Sequence, residues 1–493
     1  MTGTYMIGID QSTQGTKALL FDEKGALVRR EDIPHHQIVN DMGWVSHDGE
    51  EIYTNTISVV ERLIENSGID RRLVAGVGIS NQRETSLVWD RKTGSPLGDA
   101  IVWQCVRAAE ICDRIEAMGM EETIRKKTGL KLSPYFPASK LAWFLENIEG
   151  AGERARAHEL CFGTMDTWLI YRLTKKQSYK TDYSNASRTQ LFHIFDLKWD
   201  EEICRVFGIC PEDLAEVCSS DSCFGKTDFE GFFPEPIPIH GVLGDSHGAL
   251  LGQGCVKKGM IKSTYGTGSS IMMNIGEIPV LSSHGVVTSL AWGLNGKVDY
   301  VLEGNINYTG AVISWLKDEV GLVHTPGETE MLCIQAEKGD GLYFIPAFTG
   351  LGAPYWDSYA RGALTGITRT TRKPEIVRAC IECIAYQIAD VVKAMSRDAG
   401  VGIRELRVDG GPTKNKYLMQ FQSDILDTPV LVPQVEELSG MGAAYAAGFG
   451  LGIYGQEVFG CLKYDRYDVK MDDQMREKMH HGWQEAVGRV VSR

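Results

Sequence analysis

The chain has 493 residues, with 51 lysines and arginines against 65 aspartates and glutamates, so its formal net charge is −14. Apolar residues make up 43% of the chain and charged residues 24%, which excludes a disordered polypeptide. The acidic balance, without any basic run, excludes nucleic acid as a partner, because phosphate backbones are bound by clustered lysine and arginine. The sequence has no apolar stretch of membrane-helix length, no secretory signal and sparse cysteines, so we expect a cytoplasmic protein without membrane contact.

The first predicted elements form a hairpin around a polar loop. Residues 5–9 read as a strand that ends at Asp10, residues 11–17 as the loop, and residues 18–21 as the returning strand. A third strand, an amphipathic helix and a buried strand follow at residues 27–33, 49–66 and 74–80. This order is typical of one half of an RNase H-like or actin-like fold.

A comparable order begins again near residue 258. A strand at residues 260–264, a loop of Gly, Ser and Thr at 266–270 and a strand at 271–275 repeat the hairpin. Further predicted elements are strands at 286–292, 300–302 and 406–409 and helices at 374–395 and 441–448. We therefore predict an α/β protein with two actin-like (RNase H-like) domains, residues 1–255 and 256–493, which flank a cleft.

Both hairpin loops have the composition of anion-binding turns. Short hydroxyl side chains and glycines let backbone amides approach an anion, and Lys17 adds a positive charge to the first loop. Asp10 is placed to hold a magnesium ion through water, and the second loop lacks such an acid. Each loop alone is compatible with an ordinary tight turn, but two at corresponding places favour a polyphosphate site.

Asp245 is the candidate general base. It follows an apolar run at residues 237–243 and has Gly244 before it, so a carboxylate at a strand end would be free to accept a proton from a hydroxyl. The competing interpretation is that Asp245 caps the helix that begins with residues 249–251.

An alternative from another enzyme class uses the same segment. Residues 244–248 match the G-x-S-x-G nucleophile elbow after a strand, which would make Ser246 the nucleophile of a serine hydrolase. Its histidine would come from later in the chain: His284, His324, His480 or His481. This alternative leaves both anion-type loops unexplained.

Several longer motifs resemble the FGGY carbohydrate kinases, and within that family the glycerol kinases. Residues 135–147 and 362–382 fit the two family signatures, in order. The closer similarity to glycerol kinases rests on four shorter stretches, at residues 81–85, 100–105, 181–189 and 348–357. The resemblance covers nearly the whole chain.

The resemblance implies ATP and Mg²⁺ in the cleft between the domains, with a small polyol or sugar as acceptor. The N-terminal domain would bind the acceptor and phosphates, and the C-terminal domain the nucleotide. Asp245 would be the catalytic base, and Asp10 and Asp245 would face the metal. The remaining contacts implied are Arg83, Glu84, Trp103, Tyr135, Ser246 and Ser270 for the polyol, and Thr13, Gln14, Lys17, Thr267, Gly310, Ser314, Gly411 and Asn415 for the nucleotide. We also expect a homodimer or homotetramer.

The departures from the glycerol kinase pattern fall mainly in the polyol pocket. Ser246 and His247 stand where glutamines are typical, and Ser270 stands where a phenylalanine commonly closes the site. On the nucleotide side, Lys17 replaces an arginine and Ser314 a glutamine. Because smaller and more polar side chains leave room, we predict a polyol longer than glycerol as the acceptor.

Two further interpretations stay open at this point. One is a ketose kinase of the same family, similar to the xylulokinases. The other is a nucleotide-dependent binding protein without catalysis, since actin-like folds also serve that role; retention of the acids and of the polyol set argues against it.

Overall fold

The computed structural model describes residues 3–337 and 341–491, and its first half is built mainly of short strands. They are β1 (Tyr5–Gln11), β2 (Gly15–Phe21), β3 (Leu27–Pro34), β4 (Ile38–Val39), β5 (Val45–His47), β6 (Val74–Asn81), β7 (Ser86–Asp90), β8 (Ala100–Ile101), β9 (Leu160–Thr164), β10 (Lys180–Asp182), β11 (Phe192–His193), β12 (Lys198–Trp199), β13 (Glu216–Cys218), β14 (Cys223–Thr227) and β15 (Ile237–Gly244).

The helices of this half connect and cover those strands. They are α1 (Gly49–Ser67), α2 (Ala109–Ala117), α3 (Glu121–Thr128), α4 (Pro137–Asn147), α5 (Ala151–Arg156), α6 (Met165–Leu173), α7 (Tyr183–Ala186), α8 (Glu201–Val206) and α9 (Asp245–Gly252). Helix α1 is bounded by local signals in the sequence. At its start the Asp48 carboxylate accepts a hydrogen bond from the backbone N–H of Glu50, and at its end Gly68 adopts a left-handed conformation. Its apolar stripe is buried against the first sheet.

The first sheet places the ends of several strands at one edge. Its strand order is β14-β15-β6-β1-β2-β3. Strand β1 pairs antiparallel with β2 and parallel with β6, so Asp10 lies beside Lys17 on one side and beside Ser80 on the other. Strand β15 runs parallel to β6, with Gly244 opposite Asn81, which brings the segments after both strands together. A smaller sheet has the order β4-β5-β8-β7-β9.

The second half repeats the arrangement with a larger sheet. Its strands are β16 (Ile261–Tyr265), β17 (Ser269–Gly276), β18 (Val287–Leu294), β19 (Lys297–Ile306), β20 (Tyr343–Ile345), β21 (Ala363–Thr365), β22 (Leu406–Asp409), β23 (Val430–Pro433) and β24 (Tyr464–Tyr467). Its helices are α10 (Gly310–Ser314), α11 (Glu328–Gln335), α12 (Lys373–Ala399), α13 (Lys416–Leu426), α14 (Leu438–Gly450) and α15 (Asp473–Gly488). A π-helical turn at Trp315–Glu319 continues α10.

The second sheet has the order β18-β19-β17-β16-β22-β23-β24. As in the first sheet, the leading strand β16 pairs antiparallel with the next strand, β17, and parallel with a later one, β22. The predicted α/β fold with two similar halves is therefore confirmed, with a hairpin at the head of each sheet.

Helices α9 and α14 pack against each other between the two sheets. Their small residues permit close contact: a Cβ on Gly442 would lie 1.9 Å from the carbonyl oxygen of Gly248. Helix α14 comes from the second half of the chain but packs on β1, β6 and β15 of the first sheet. The boundary near residue 255 stays a prediction.

Within residues 3–337 and 341–491, no helix combines the length and the apolar character needed to cross a bilayer.

Candidate active site

Arg83 and Glu84 lie directly after β6, at the edge of the first sheet that faces the second. Both side chains are almost completely buried, with 5% and 2% exposure. Glu84 has a positive φ of 60°, a conformation that residues with a side chain adopt at an energetic cost. The backbone is therefore bent away from the strand direction just where it presents these two charged groups.

Two further charged residues complete a buried ionic cluster, which consists of Arg83, Glu84, Arg188 and Glu303. Glu303, on β19 of the second sheet, accepts bonds from both terminal nitrogens of Arg83, at 2.8 and 2.9 Å. Arg188 donates from Nε to Glu84 at 2.6 Å, and its Nη1 lies 2.8 Å from Glu303. Burial alone would raise the pKa of Glu303, but the guanidinium groups of Arg188 and Arg83 hold that pKa well below its usual range.

Asp245 is the first residue of α9, directly after β15. It does not act as the cap of that helix: the N-cap residue is Gly244, and the Asp245 carboxylate accepts from the neighbouring N–H of Ser246 at 2.6 Å. One carboxylate oxygen lies 3.2 Å from Nε of Arg83, while 37% of the side chain stays exposed. An accessible carboxylate beside a buried guanidinium is suited to accept a proton from a bound hydroxyl.

The aromatic residues of the predicted polyol set are adjacent. The rings of Trp103 and Tyr135 meet edge to face, with centroids 5.6 Å apart. The indole N–H of Trp103 donates to the hydroxyl of Thr13 at 3.0 Å, which connects this pair to the first hairpin loop. Burial raises the pKa of Tyr135, so its hydroxyl is neutral at any working pH.

The two serines that depart from the family pattern face each other. The hydroxyl oxygens of Ser246 and Ser270 are 3.5 Å apart, and that of Ser270 is also 3.5 Å from Oε1 of Glu303. Both serines are partly exposed. His247, the third departure, is fully buried instead, and burial lowers its pKa well below the usual range, so the imidazole is neutral.

A second set of charges, which we call the phosphate-side group, consists of Asp10, Lys17, Arg30 and Glu437. Lys17 donates to Glu437 at 2.9 Å and lies 3.9 Å from Asp10, and Arg30 holds the other oxygen of Glu437 at 2.6 Å. Burial raises the pKa of Asp10 to about 6, and the nearby carboxylates of Asp245 and Glu437 add to that effect against Lys17.

Asp10 and Asp245 also fit a divalent cation. The Asp245 carboxylate is close enough to raise the pKa of Asp10, and the neighbouring positive groups are Lys17, 3.9 Å from Asp10, and Arg83, 3.2 Å from Asp245. Oxygen ligands of this type are those that magnesium prefers.

The first hairpin loop is short and well connected. Thr13 is bound by Trp103, and the carbonyl of Gln14 accepts from the N–H of His35 at 2.9 Å, whereas the side chain of Gln14 is exposed. The loop is therefore held at its base, with Thr13, Gln14 and Lys17 on one short segment.

The second hairpin loop is tied to the start of α10. The N–H groups of Gly310 and Ala311 donate to the carbonyls of Gly266 and Thr267 at 2.9 and 3.0 Å. A Cβ on Gly310 would lie 2.7 Å from the carbonyl oxygen of Gly266, so this contact requires glycine. Thr267 and Gly310, both predicted as nucleotide contacts, are thus neighbours.

The other predicted nucleotide contacts lie on nearby elements. Gly411 follows Gly410, whose Cβ would lie 2.1 Å from the carbonyl oxygen of Tyr265 at the end of β16. Asn415 caps α13 by accepting from Leu418, and its amide donates to Thr329 at 3.0 Å. Ser314 is exposed at the end of α10. The nucleotide roles of these residues stay predictions.

Glu303, Arg188 and Glu437 are charged residues of the site without a role predicted from the sequence. Arg188 lies in the stretch used only to recognise the family, and Glu303 lies in an apolar strand predicted shorter than β19 is. A charged residue inside such a run was the available signal, because an isolated buried carboxylate is unstable without a partner. Its partners lie more than 100 residues away in sequence, so their pairing was not predictable.

The serine hydrolase alternative has no supporting contact. Within the described residues, Ser246 pairs through its hydroxyl with Ser270, and no candidate histidine contacts it. His284 is bound to Asp398, His480 to Asp390 and His481 to Glu485. A nucleophile elbow needs an imidazole at the serine, so this interpretation is not retained.

Comparison with protein families matches both halves of the chain. Residues 5–252 match the N-terminal domain of the FGGY family of carbohydrate kinases, and residues 261–451 match the C-terminal domain of that family.

Individual relatives are similar over the whole length. Glycerol kinase 1 of Thermotoga maritima is 47% identical over 491 residues, which are 99% of this chain and 100% of the relative. The glycerol kinase of Bacillus licheniformis is 44% identical over 98% of both chains. The crystal structure of Plasmodium falciparum glycerol kinase with ADP superposes with a TM-score of 0.94 at 36% identity, covering 100% of this chain and 99% of that one. A xylulose kinase of Lactobacillus acidophilus, at 22% identity with coverage of 99% and 98%, shares the fold with a TM-score of 0.88.

Proposed function

Since this chain belongs to the FGGY family of carbohydrate kinases, we propose that it transfers the γ-phosphoryl group of ATP to a terminal hydroxyl of a polyol longer than glycerol. Family membership makes the protein an ATP-dependent carbohydrate kinase, so the alternative of a binding protein without catalysis is not retained. The length of the acceptor, the catalytic roles of individual residues and the metal are the parts proposed here.

Asp245 is the general base of the proposed reaction. As the acceptor oxygen attacks the γ-phosphorus, the bond from phosphorus to the bridging oxygen of ADP breaks, and the hydroxyl proton passes to the Asp245 carboxylate. Two observations support this role: Oδ1 of Asp245 accepts from the N–H of Ser246 and lies 3.2 Å from Nε of Arg83, and 37% of the side chain stays exposed.

The proposal of an acceptor longer than glycerol rests on the contact between Ser246, Ser270 and Glu303. Oε2 of Glu303 meets both guanidinium groups, whereas Oε1 accepts from Arg83 at 2.8 Å and from the Ser270 hydroxyl at 3.5 Å. The two partly exposed serine hydroxyls form a polar lining, with the completely buried Glu303 carboxylate behind them. A phenylalanine at position 270 would cover this lining, and the serine leaves it open to one more substrate hydroxyl.

The nucleotide phosphates would lie between the two hairpin loops. Thr13, Gln14 and Lys17 on the first loop and Thr267 on the second supply amides, hydroxyls and one positive charge. Asp10 and Asp245 would hold Mg²⁺, which when bound neutralises charge on the phosphates.

A panel of acceptors tests the proposal. ADP release would be measured for glycerol, erythritol, threitol, the pentitols and xylulose with the native protein and with Ser270→Phe and Ser270→Ala. We expect a tetritol or pentitol to have the highest kcat/KM, and Ser270→Phe to lower the ratio of its kcat/KM to that of glycerol by about 10- to 100-fold. Ser270→Ala is the matched control, since it removes the hydroxyl without filling the space, and we expect a smaller change in that ratio.

Glycerol as clearly the best acceptor of the native protein would contradict the proposal. Xylulose as the best acceptor would favour the ketose kinase alternative instead.

A further inference from the structure

We propose that Glu303 is a positioning residue for the polyol site: it fixes the guanidinium of Arg83, and with Arg188 it ties that site to the second sheet. Glu303 is completely buried on β19, whereas Arg83 and Arg188 belong to the first half of the chain. The contact therefore joins β19 of the second sheet to the segment that follows β6 of the first.

The geometry of Arg83 is determined by this carboxylate. Both terminal nitrogens of Arg83 donate to Glu303, in a two-bonded arrangement of planar groups that allows little rotation. The third donor nitrogen, Nε, has no hydrogen-bond partner among the described residues and lies 3.2 Å from the Asp245 carboxylate as an ion pair. The direction from which Arg83 meets the proposed base is thus set by a residue that lies on the other sheet.

Arg188 extends the same control to Glu84. Its Nη1 lies 2.8 Å from Glu303, and its Nε donates to Glu84 at 2.6 Å. Glu84 and Arg83 are the two charged residues of the predicted polyol set, so one buried carboxylate holds both of them through two arginines.

The contacts of Glu303 with Arg83 and Arg188 also depend on the distance between the sheets. Paired guanidinium and carboxylate groups must approach within hydrogen-bond distance, so moving β19 away from β6 would separate Glu303 from Arg83 and Arg188. We infer that the polyol side of the site is fully ordered only when the two sheets are as close as they are here.

A purely structural role is the competing explanation. Two buried arginines need compensating negative charge whatever they do, and removing Glu303 would then destabilise the protein without a specific effect on the acceptor. Glu382 on α12 provides the comparison, because it is also buried and pairs with an arginine, Arg378, at 2.7 Å, but within one helix.

The experiment compares Glu303→Gln with the matched control Glu382→Gln. Steady-state kinetics would be measured separately for acceptor and for ATP, together with Tm and the radius of gyration in solution with and without acceptor plus a nonhydrolysable ATP analogue. For Glu303→Gln we expect kcat/KM for the acceptor to fall about 100-fold, since a small misplacement of a positioned group has effects of that size, with KM for ATP changed less than about threefold. For Glu382→Gln we expect a lower Tm with the acceptor kinetics retained.

A second variant covers the case in which Glu303→Gln does not fold. Glu303→Asp keeps the charge but is one methylene shorter, so it cannot reach both arginines equally, and we expect a smaller loss of kcat/KM for the acceptor. We also expect the ligands to reduce the radius of gyration of the native protein by more than they reduce that of either Glu303 variant.

Acceptor kinetics in both Glu303 variants that match those of Glu382→Gln would overturn the proposal, as would an equal loss toward ATP and acceptor.

Discussion

The buried ionic cluster and the phosphate-side group each contain two positive and two negative side chains, yet they differ in how firmly those charges are paired. In the cluster no side chain is more than 5% exposed, and Arg83 and Arg188 are both held by Glu303. In the phosphate-side group 30% of Lys17 is exposed, and Lys17 binds Glu437 while Asp10 stays 3.9 Å away.

The difference indicates how the two substrates are accommodated. Buried and fully paired charges exchange partners only at a high cost, so the polyol side presents a preset geometry. Partly exposed charges in contact with one another can exchange, so Lys17 can leave Glu437 when a phosphate arrives. In the proposed function, the acceptor would thus bind at a rigid site and the nucleotide at an adjustable one.

The largest effect is expected at Asp245, where the two sets meet. Asp245→Asn keeps the shape of the side chain but removes its capacity to take a proton. We expect kcat to fall by roughly 10²–10⁴ while nucleotide binding persists. Coupled ADP-release kinetics and calorimetric titration of ADP would measure both quantities, and a near-normal kcat would refute the assignment of Asp245 as the base.

A smaller effect is expected on the nucleotide side, at Lys17. Lys17→Met removes the only lysine of the first loop, and we expect KM for ATP to rise about tenfold, in line with one charged hydrogen bond. KM for the acceptor should change much less, because Lys17 contacts Asp10 and Glu437 but no residue of the buried ionic cluster.

Lys24→Met is the control for that substitution, since Lys24 is an exposed lysine in the turn between β2 and β3. Equal changes in the kinetics of the two lysine variants would show that Lys17 has no specific role.

The smallest effect concerns the pH dependence of stability near the first loop. His35 contacts the loop strand through Thr16 at 3.1 Å, and burial, with His47 close by, lowers its pKa to about 4, against the opposing effect of Glu51. Because the folded-state value lies below the unfolded value, the folded state binds fewer protons between about pH 6.5 and 4. Stability is therefore lost as the pH falls through that range.

After allowance for the partial exposure of the ring, we expect His35 to account for about 1 to 2 kcal/mol of this loss. His47, whose pKa is also lowered mainly by burial, adds to the loss in the same direction. His35→Gln should flatten the dependence of the unfolding midpoint on pH between 7 and 5, and the exposed His324→Gln should not. An unchanged slope in His35→Gln would contradict this.

Much of the fold follows from local patterns in the chain. Alternating and continuous apolar runs predicted β1, β2, β6 and β16, because strands that are buried on one or both faces require them. The apolar stripe of α12 predicted a helix that the structure extends to Ala399. The repeated hairpin then predicted two similar halves with a ligand site between them.

The sequence alone determined the family, and it predicted the two anion-type loops and most of the residues proposed for the site, because each is carried by a contiguous motif with its own local chemistry. Tertiary structure alone decided how the charges pair. The partners of Glu303 lie more than 100 residues away, and the partner of Lys17 is 420 residues away. Such pairs form only when distant segments pack together, here β19 beside the segments after β6 and α7, and the start of α14 beside β2, and no spacing along the chain records that contact.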